Sequence, residues 1–214
     1  MTQTQPRPGD DPVPIAPGQL VLASGSPRRR EILTRLGLEF EIRPPDLDET
    51  ALPDEPPEEL VVRLALAKAW AVAKTLPEGP RRWVLGSDTV VVLDGRTIGK
   101  PHGPEDAVNM LRRLTGRSHR VITGVAVVDA LGGPDLALAV TSQVVMRPAN
   151  EAEIRAYVAC GESLDKAGAY ALQGQGRRFV TQVIGSESNV IGLPADETLA
   201  MLAEAADRAV REKA

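Results

Sequence analysis

Two short stretches bring together residue types that do chemistry on phosphates. The first is "SGSPRRR", residues 24–30, in which a Ser-Gly-Ser-Pro turn runs straight into Arg28, Arg29 and Arg30. A glycine-containing turn from a strand into a helix presents backbone N–H groups that receive phosphate oxygens. Arginines beside it add charge-assisted, bidentate contacts. Cations at a helix start run against the macrodipole, which is already positive there. Either they are solvated charge on a capped first turn, or an anion is meant to arrive. The turn has neither the Gly-Lys-Ser/Thr ending of a Walker loop nor the three glycines of a dinucleotide fingerprint.

The second stretch is "GSDTVV", residues 86–91, where Asp88 interrupts an apolar run that includes Val84, Leu85 and Val90. A carboxylate there is costly to bury unless it is paired, hydrogen-bonded or bound to a metal. An Asp capping a nearby N–H is the plainer account, but a place inside a strand signal next to Gly86 favours function. Lys68 in "LALAKAWAVAK" and Lys100 in "IGKP" are further cations. Alone, the first reads as a snorkelling helix lysine and the second as an exposed strand-end charge. Glu49, in an acidic loop, and the Asp165-Lys166 pair read singly as surface charge.

His102 and His119 fit no zinc-ligand spacing, and they are the only histidines. Cys160, the only cysteine, has no basic neighbour in its helical segment and reads as a small core residue. No nucleophile and base pair stands out. What remains is several cations with one or two carboxylates, the inventory for phosphate chemistry.

The elements that must position these residues are legible from periodicity and punctuation. "QLVLAS" (19–24) reads as a buried strand, Pro27 opens a helix carrying Ile32, Leu33 and Leu36, and Gly37 stops it. "EFEIRP" reads as a second strand, and the acidic, proline-rich 44–59 as a loop. A helix is expected from Glu58 to about Thr75, then a strand from Trp83 to Leu93 with the hairpin turn Asp94-Gly95 behind it. Pro104 to Gly116 bounds a helix, and "LGGPD" joins two long β segments. Asn150 is expected to cap the next helix. Residues 168–194 read as glycine-rich and then β-like, before a closing amphipathic helix. This order predicts an α/β fold with a mixed, largely antiparallel central sheet flanked by helices.

Composition narrows the partners. A net charge of -4 argues against coating a nucleic acid, and 3% aromatic residues against a base-stacking module. No apolar run approaches the about 20 residues of a membrane span. Residues 1–18 carry no hydrophobic signal core and read as a disordered, Pro-rich leader; residues 19–214 read as one domain. With a single cysteine, the cytoplasm is the expected location.

Taken in order, "LASGSPRRREIL", "RLALAKA", "GSDTVV", "GKP", "MLRRLTGRSHRVITGVAV", "DKAGAYALQG" and "GLP" resemble the Maf family of nucleoside triphosphate pyrophosphatases, over about residues 19 to 205. The resemblance implies two lobes around a cleft, as in inosine triphosphatases. It also implies hydrolysis of a nucleoside triphosphate between the α and β phosphates, with a divalent cation such as Mg or Mn. The family's catalytic acid falls on Asp88, which activates water or holds the metal, and its loop carboxylate on Glu49, a second metal ligand. Its phosphate-facing residues fall on Arg29, Lys68 and Lys100, with Ser24 in the first turn. The positions that mark the dTTP and UTP branch fall on Arg28, Thr89 and Gln173. An amide at Gln173 offers a donor and an acceptor to a uracil or thymine edge. A 7-methyl-GTP pyrophosphatase and a nucleotide-binding regulator of septum formation are the alternatives that the resemblance carries. A homodimer is also what it suggests. "GSESNVIGLP" departs in part from the family pattern, at the rim of the implied pocket or a dimer contact.

Overall fold

The computed structural model describes residues 15, 16 and 18–212, so the expected leader over 1–18 lies for the most part outside the described residues. Ile15 packs on the core formed by Leu20, Leu22 and Trp83. The strands are β1 (Leu20–Ala23), β2 (Glu41–Ile42), β3 (Trp83–Leu93), β4 (Arg96–Ile98), β5 (Ser118–Asp129), β6 (Leu136–Met146) and β7 (Val180–Ile184). The helices are α1 (Pro27–Arg35), α2 (Pro57–Ala73), α3 (Pro104–Leu114), α4 (Glu151–Ala159), α5 (Glu187–Ile191) and α6 (Ala195–Arg211). One sheet holds all seven strands in the order β2-β1-β3-β5-β6-β7, with β4 paired to β3. Only β1 runs parallel to its neighbours, β2 and β3; the remaining pairs are antiparallel. The expected mixed, largely antiparallel sheet is the one observed.

Strand β3 is the spine, and its alternating faces serve different cores. Val84 packs with Ala69 and Val72 of α2, while Trp83 and Leu85 pack on the opposite side with Leu33 of α1 and Leu202 of α6. Further along, Val91 and Leu93 join Leu111 of α3, Tyr157 of α4 and Phe179 in a separate core. The two ends of one strand thus anchor two lobes. Between them its edge is interrupted. β1 ends with Ala23 opposite Gly86, and β4 begins pairing at Val91 opposite Ile98. Residues 87–90 have no strand partner on that edge, and a cleft opens there.

Three expectations need correction. The "EFEIRP" strand shrinks to Glu41–Ile42, because Pro44 and Pro45 cannot continue a ladder. The β-like reading of 186–192 gives way to helix α5: the Ser186 side chain accepts from Asn189 N, and Gly192 at φ +127° stops the turn. Cys160 is exposed, outside the core. It is the C-cap of α4, and Gly161 at φ +78° turns the chain away at once.

Candidate active site

The cleft has a volume of about 680 Å³ and is walled by both lobes. Ser24, Arg28, Arg29, Glu49, Lys68, Asp88, Thr89, Lys100 and Gln173 all line it. They come from six places in the chain, and the fold brings all of them to one place.

Its floor depends on how closely α2 approaches the sheet. A Cβ on Gly86 would stand 2.1 Å from the Ala65 carbonyl oxygen, and one on Gly124 would stand 2.1 Å from that of Val61. Both strands therefore present bare backbone to the helix, and α2 lies almost on them. Lys68, in the next turn of α2, is carried down with it and buried. Its Nζ lies 2.6 Å from Asp88 Oδ1 and 2.9 Å from Glu49 Oε1. A snorkelling lysine is thus replaced by a cation shared between two carboxylates, one buried and one half-exposed. That pairing meets the cost of burying Asp88.

The wall opposite is Arg29. Its Nε donates to the Gly192 carbonyl at 2.8 Å, Nη1 to Ser24 Oγ at 3.0 Å and Nη2 to Thr89 Oγ1 at 3.3 Å. Burial draws the pKa of this guanidinium down and Asp88 pushes the other way; an arginine stays charged regardless. Thr89 Oγ1 lies 3.0 Å from Thr123 Oγ1, whose hydroxyl reaches the Asn189 carbonyl at 2.9 Å. Asn189 in turn donates through Nδ2 to the Val121 carbonyl and to Ser142 Oγ. Ser87 Oγ donates to the same Gly192 carbonyl as Arg29, at 3.1 Å.

The mouth of α1 is left open. Its N-cap residue, Ser26, makes no side-chain capping bond, and its first turn holds no acid. Ser24 Oγ accepts from Ser26 N. Arg28 leans across the cleft to Asp165, Nη1 to Oδ2 at 3.4 Å, while Arg30 is exposed. Lys100 is exposed just beyond β4, and Gln173 is half-buried.

Asp88 and Glu49 also suit a divalent cation as a donor set. Magnesium is commonly held by one or two carboxylates, with substrate phosphates and water completing the shell. No group of three or more His, Cys, Asp or Glu is arranged for a metal among the described residues, so substrate oxygens would have to complete such a site.

Sequence reasoning missed Ser87, Thr123, Asn189 and Gly192. The one signal was the partial departure at "GSESNVIGLP", which does lie on the cleft rim: Val190, Ile191 and Gly192 line it. Asp165 and Lys166, taken for a surface pair, line the cleft as well.

Five cations and three carboxylates around an interrupted sheet edge define a pocket for a phosphate-bearing anion. Residues 19–205 match the family model described as Maf-like protein, and the chain belongs to that family. A protein from Anaeromyxobacter dehalogenans named dTTP/UTP pyrophosphatase is 52% identical over 190 residues, covering 87% of this chain and 94% of the relative. One of the same name from Moorella thermoacetica is 50% identical over 185 residues, covering 86% and 94%. Among solved structures, the Staphylococcus aureus Ham1 protein aligns at 17% identity and a TM-score of 0.37, over 59% of this chain and 71% of its own, a likeness too loose to carry an argument.

Proposed function

We propose that the protein hydrolyses nucleoside triphosphates, dTTP and UTP foremost, to the monophosphate and pyrophosphate. The names of relatives at half identity over most of the chain support this. The observation that carries it in this chain is the buried Lys68 bridging Asp88 and Glu49, facing Arg29 across the cleft.

Arg29, Lys68 and Lys100 face the phosphate chain and neutralise its charge. Asp88 has Oδ1 on Lys68, and Oδ2 carries no hydrogen bond among the described residues. That oxygen is the one to take a proton from water as the water oxygen bonds to the α-phosphorus. The bond from α-phosphorus to the bridging oxygen breaks, and pyrophosphate leaves with the electron pair. A divalent ion held by Asp88 and Glu49 would add charge neutralisation at the phosphates. Gln173 offers its amide to the uracil or thymine edge, with Arg28 and Thr89 completing base choice. The cytoplasm, where these nucleotides are made and used, belongs to the same proposal. No helix among the described residues is long and apolar enough to cross a membrane. A homodimer belongs to the same reading, and sedimentation of the purified chain tests it.

Asp88→Asn is expected to lower pyrophosphate release by about a thousand-fold or more while leaving the circular dichroism unchanged. The assay panel is dTTP, UTP, dCTP and 7-methyl-GTP with Mg²⁺ or Mn²⁺. Full activity in the variant, or no release from any triphosphate by the wild type, overturns the proposal.

A further inference from the structure

Behind Gln173 lies a half-buried carboxylate that no step above uses. Glu162 follows α4, and its side chain closes a ring over residues 171–176. Its Oε2 accepts from Gln175 N at 2.9 Å, and its Oε1 from Gly176 N and the Tyr157 hydroxyl, each at 3.0 Å. The same Tyr157 oxygen accepts from Ala171 N at 3.1 Å. One end of the segment is thus tied to Tyr157 and the other to Glu162, and the two side chains are tied to each other. Against the cost of partial burial, the two N–H groups and the hydroxyl hold the Glu162 carboxyl below its ordinary range.

The ring closes because two of its members lack side chains. A Cβ on Gly174, at φ +92°, would stand 2.5 Å from Glu162 Oε2. One on Gly176 would stand 2.4 Å from the Ala171 carbonyl and 2.8 Å from the Tyr157 hydroxyl. Gln173 sits at the crest of this ring, lines the cleft, and its amide has no hydrogen bond among the described residues.

A primary amide is ambidextrous: one end donates, the other accepts. Thymine and uracil offer an N–H beside a carbonyl; cytosine offers a bare ring nitrogen beside an amino group. A glutamine free to invert satisfies both edges, so it discriminates only if its backbone is held where just one of the two amide orientations reaches the base.

We propose that the Glu162 carboxylate and the Tyr157 hydroxyl fix the 171–176 loop so that Gln173 meets the base in one orientation, which makes Glu162 a positioning residue for choosing thymine and uracil over cytosine. This rests on the reading that Gln173 faces the base. It predicts that the clamp affects discrimination more than turnover.

The test is kcat/KM for dTTP and dCTP in the wild type, Glu162→Gln, Gln173→Ala and the double variant, with melting temperatures. Glu162→Gln keeps the shape but sets an amide N–H₂ against a backbone N–H, so the ring loosens. The dTTP-to-dCTP ratio is expected to fall about ten-fold in Glu162→Gln, and no further in the double variant than in Gln173→Ala. An unchanged ratio in Glu162→Gln, additive losses, or a parallel fall for both nucleotides each overturns the clamp while leaving the Gln173 reading intact. An unchanged ratio in Gln173→Ala overturns that reading, and the clamp with it. If Glu162→Gln fails to fold, Tyr157→Phe removes the shared hydroxyl alone and must lower the same ratio for the proposal to stand.

Discussion

Two helix starts in this protein solve the same problem in opposite ways. At the mouth of α4, Asn150 Oδ1 accepts from Glu153 N and the Glu153 side chain accepts from Asn150 N, a reciprocal capping box. Glu151 and Glu153 place negative charge in the first turn, where the dipole favours it. At the mouth of α1 none of this is present: no capping bond from Ser26, no acid, and Arg28, Arg29 and Arg30 in sequence. The first mouth is complete in itself. The second is left for a ligand to complete, and it opens on the cleft. A missing side-chain cap does not by itself set α1 apart, since α2, α3 and α6 also lack one; a first turn with no acid and three arginines does.

The difference can be broken from either side. Arg29→Ala removes three hydrogen bonds and the charge that faces the phosphates, and kcat/KM for dTTP is expected to fall roughly 10²–10³-fold in a pyrophosphate-release assay. Lysine at 29 should not restore it, since one ammonium cannot replace a fork with three separate partners.

A pH series separates both mouths from the core behind them. His119 is buried against the Tyr170 hydroxyl at 2.7 Å, and burial pushes its pKa down to about 4 from 6.5. The unfolded chain then binds the proton more readily, so stability is full above about pH 6.5 and falls as pH drops towards 4, by about 3 kcal/mol in all. Urea melts across this window should show that loss in the wild type and a flatter profile in His119→Gln. A flat wild-type profile would assign acid sensitivity to other groups.

Ser26→Asp would convert the open mouth into something like the closed one. The helix should gain a cap, with the melting temperature held or raised, while KM for dTTP rises about ten-fold through repulsion of the phosphates. A higher melting temperature with KM unchanged would show that no anion approaches this turn. Smallest is the converse change. Asn150→Ala should lower stability by about 1 kcal/mol in denaturant unfolding and leave kcat/KM within two-fold, about the scatter of such contacts.

The parts legible in the sequence were those specified by local chemistry. The Asp94-Gly95 turn placed β3 and β4, Pro27 and Gly37 bounded α1, and Asn150 capped α4 as expected. Asp88 stood out because an acid in an apolar strand demands a partner. That partner was not legible. Lys68 on an apolar helix reads as a snorkelling cation until Gly86 and Gly124 are known to lie beneath α2. Thr123 and Asn189 were invisible for a similar reason. The contact of Thr123 with Thr89, and of Asn189 with Thr123, depends on β5 pairing with β3 so that Thr123 lies opposite Thr89, and on α5 being a helix. Glu162 was not singled out in the sequence at all. Its work lies in bonds to backbone thirteen and fourteen residues away, which residue type does not announce.

Gly124 carries a consequence of its own. It lies opposite Asp88 across the ladder and beneath Val61, lines no part of the cleft and offers no group to a ligand. Any side chain there lifts α2 off the sheet and draws the Lys68 ammonium away from Asp88. A saturation screen scored on turnover would rank this position among the essential ones, although it performs no chemistry. In this enzyme a map of intolerance would trace the tread of a helix as well as the reacting groups, and telling the two apart requires asking what each residue touches.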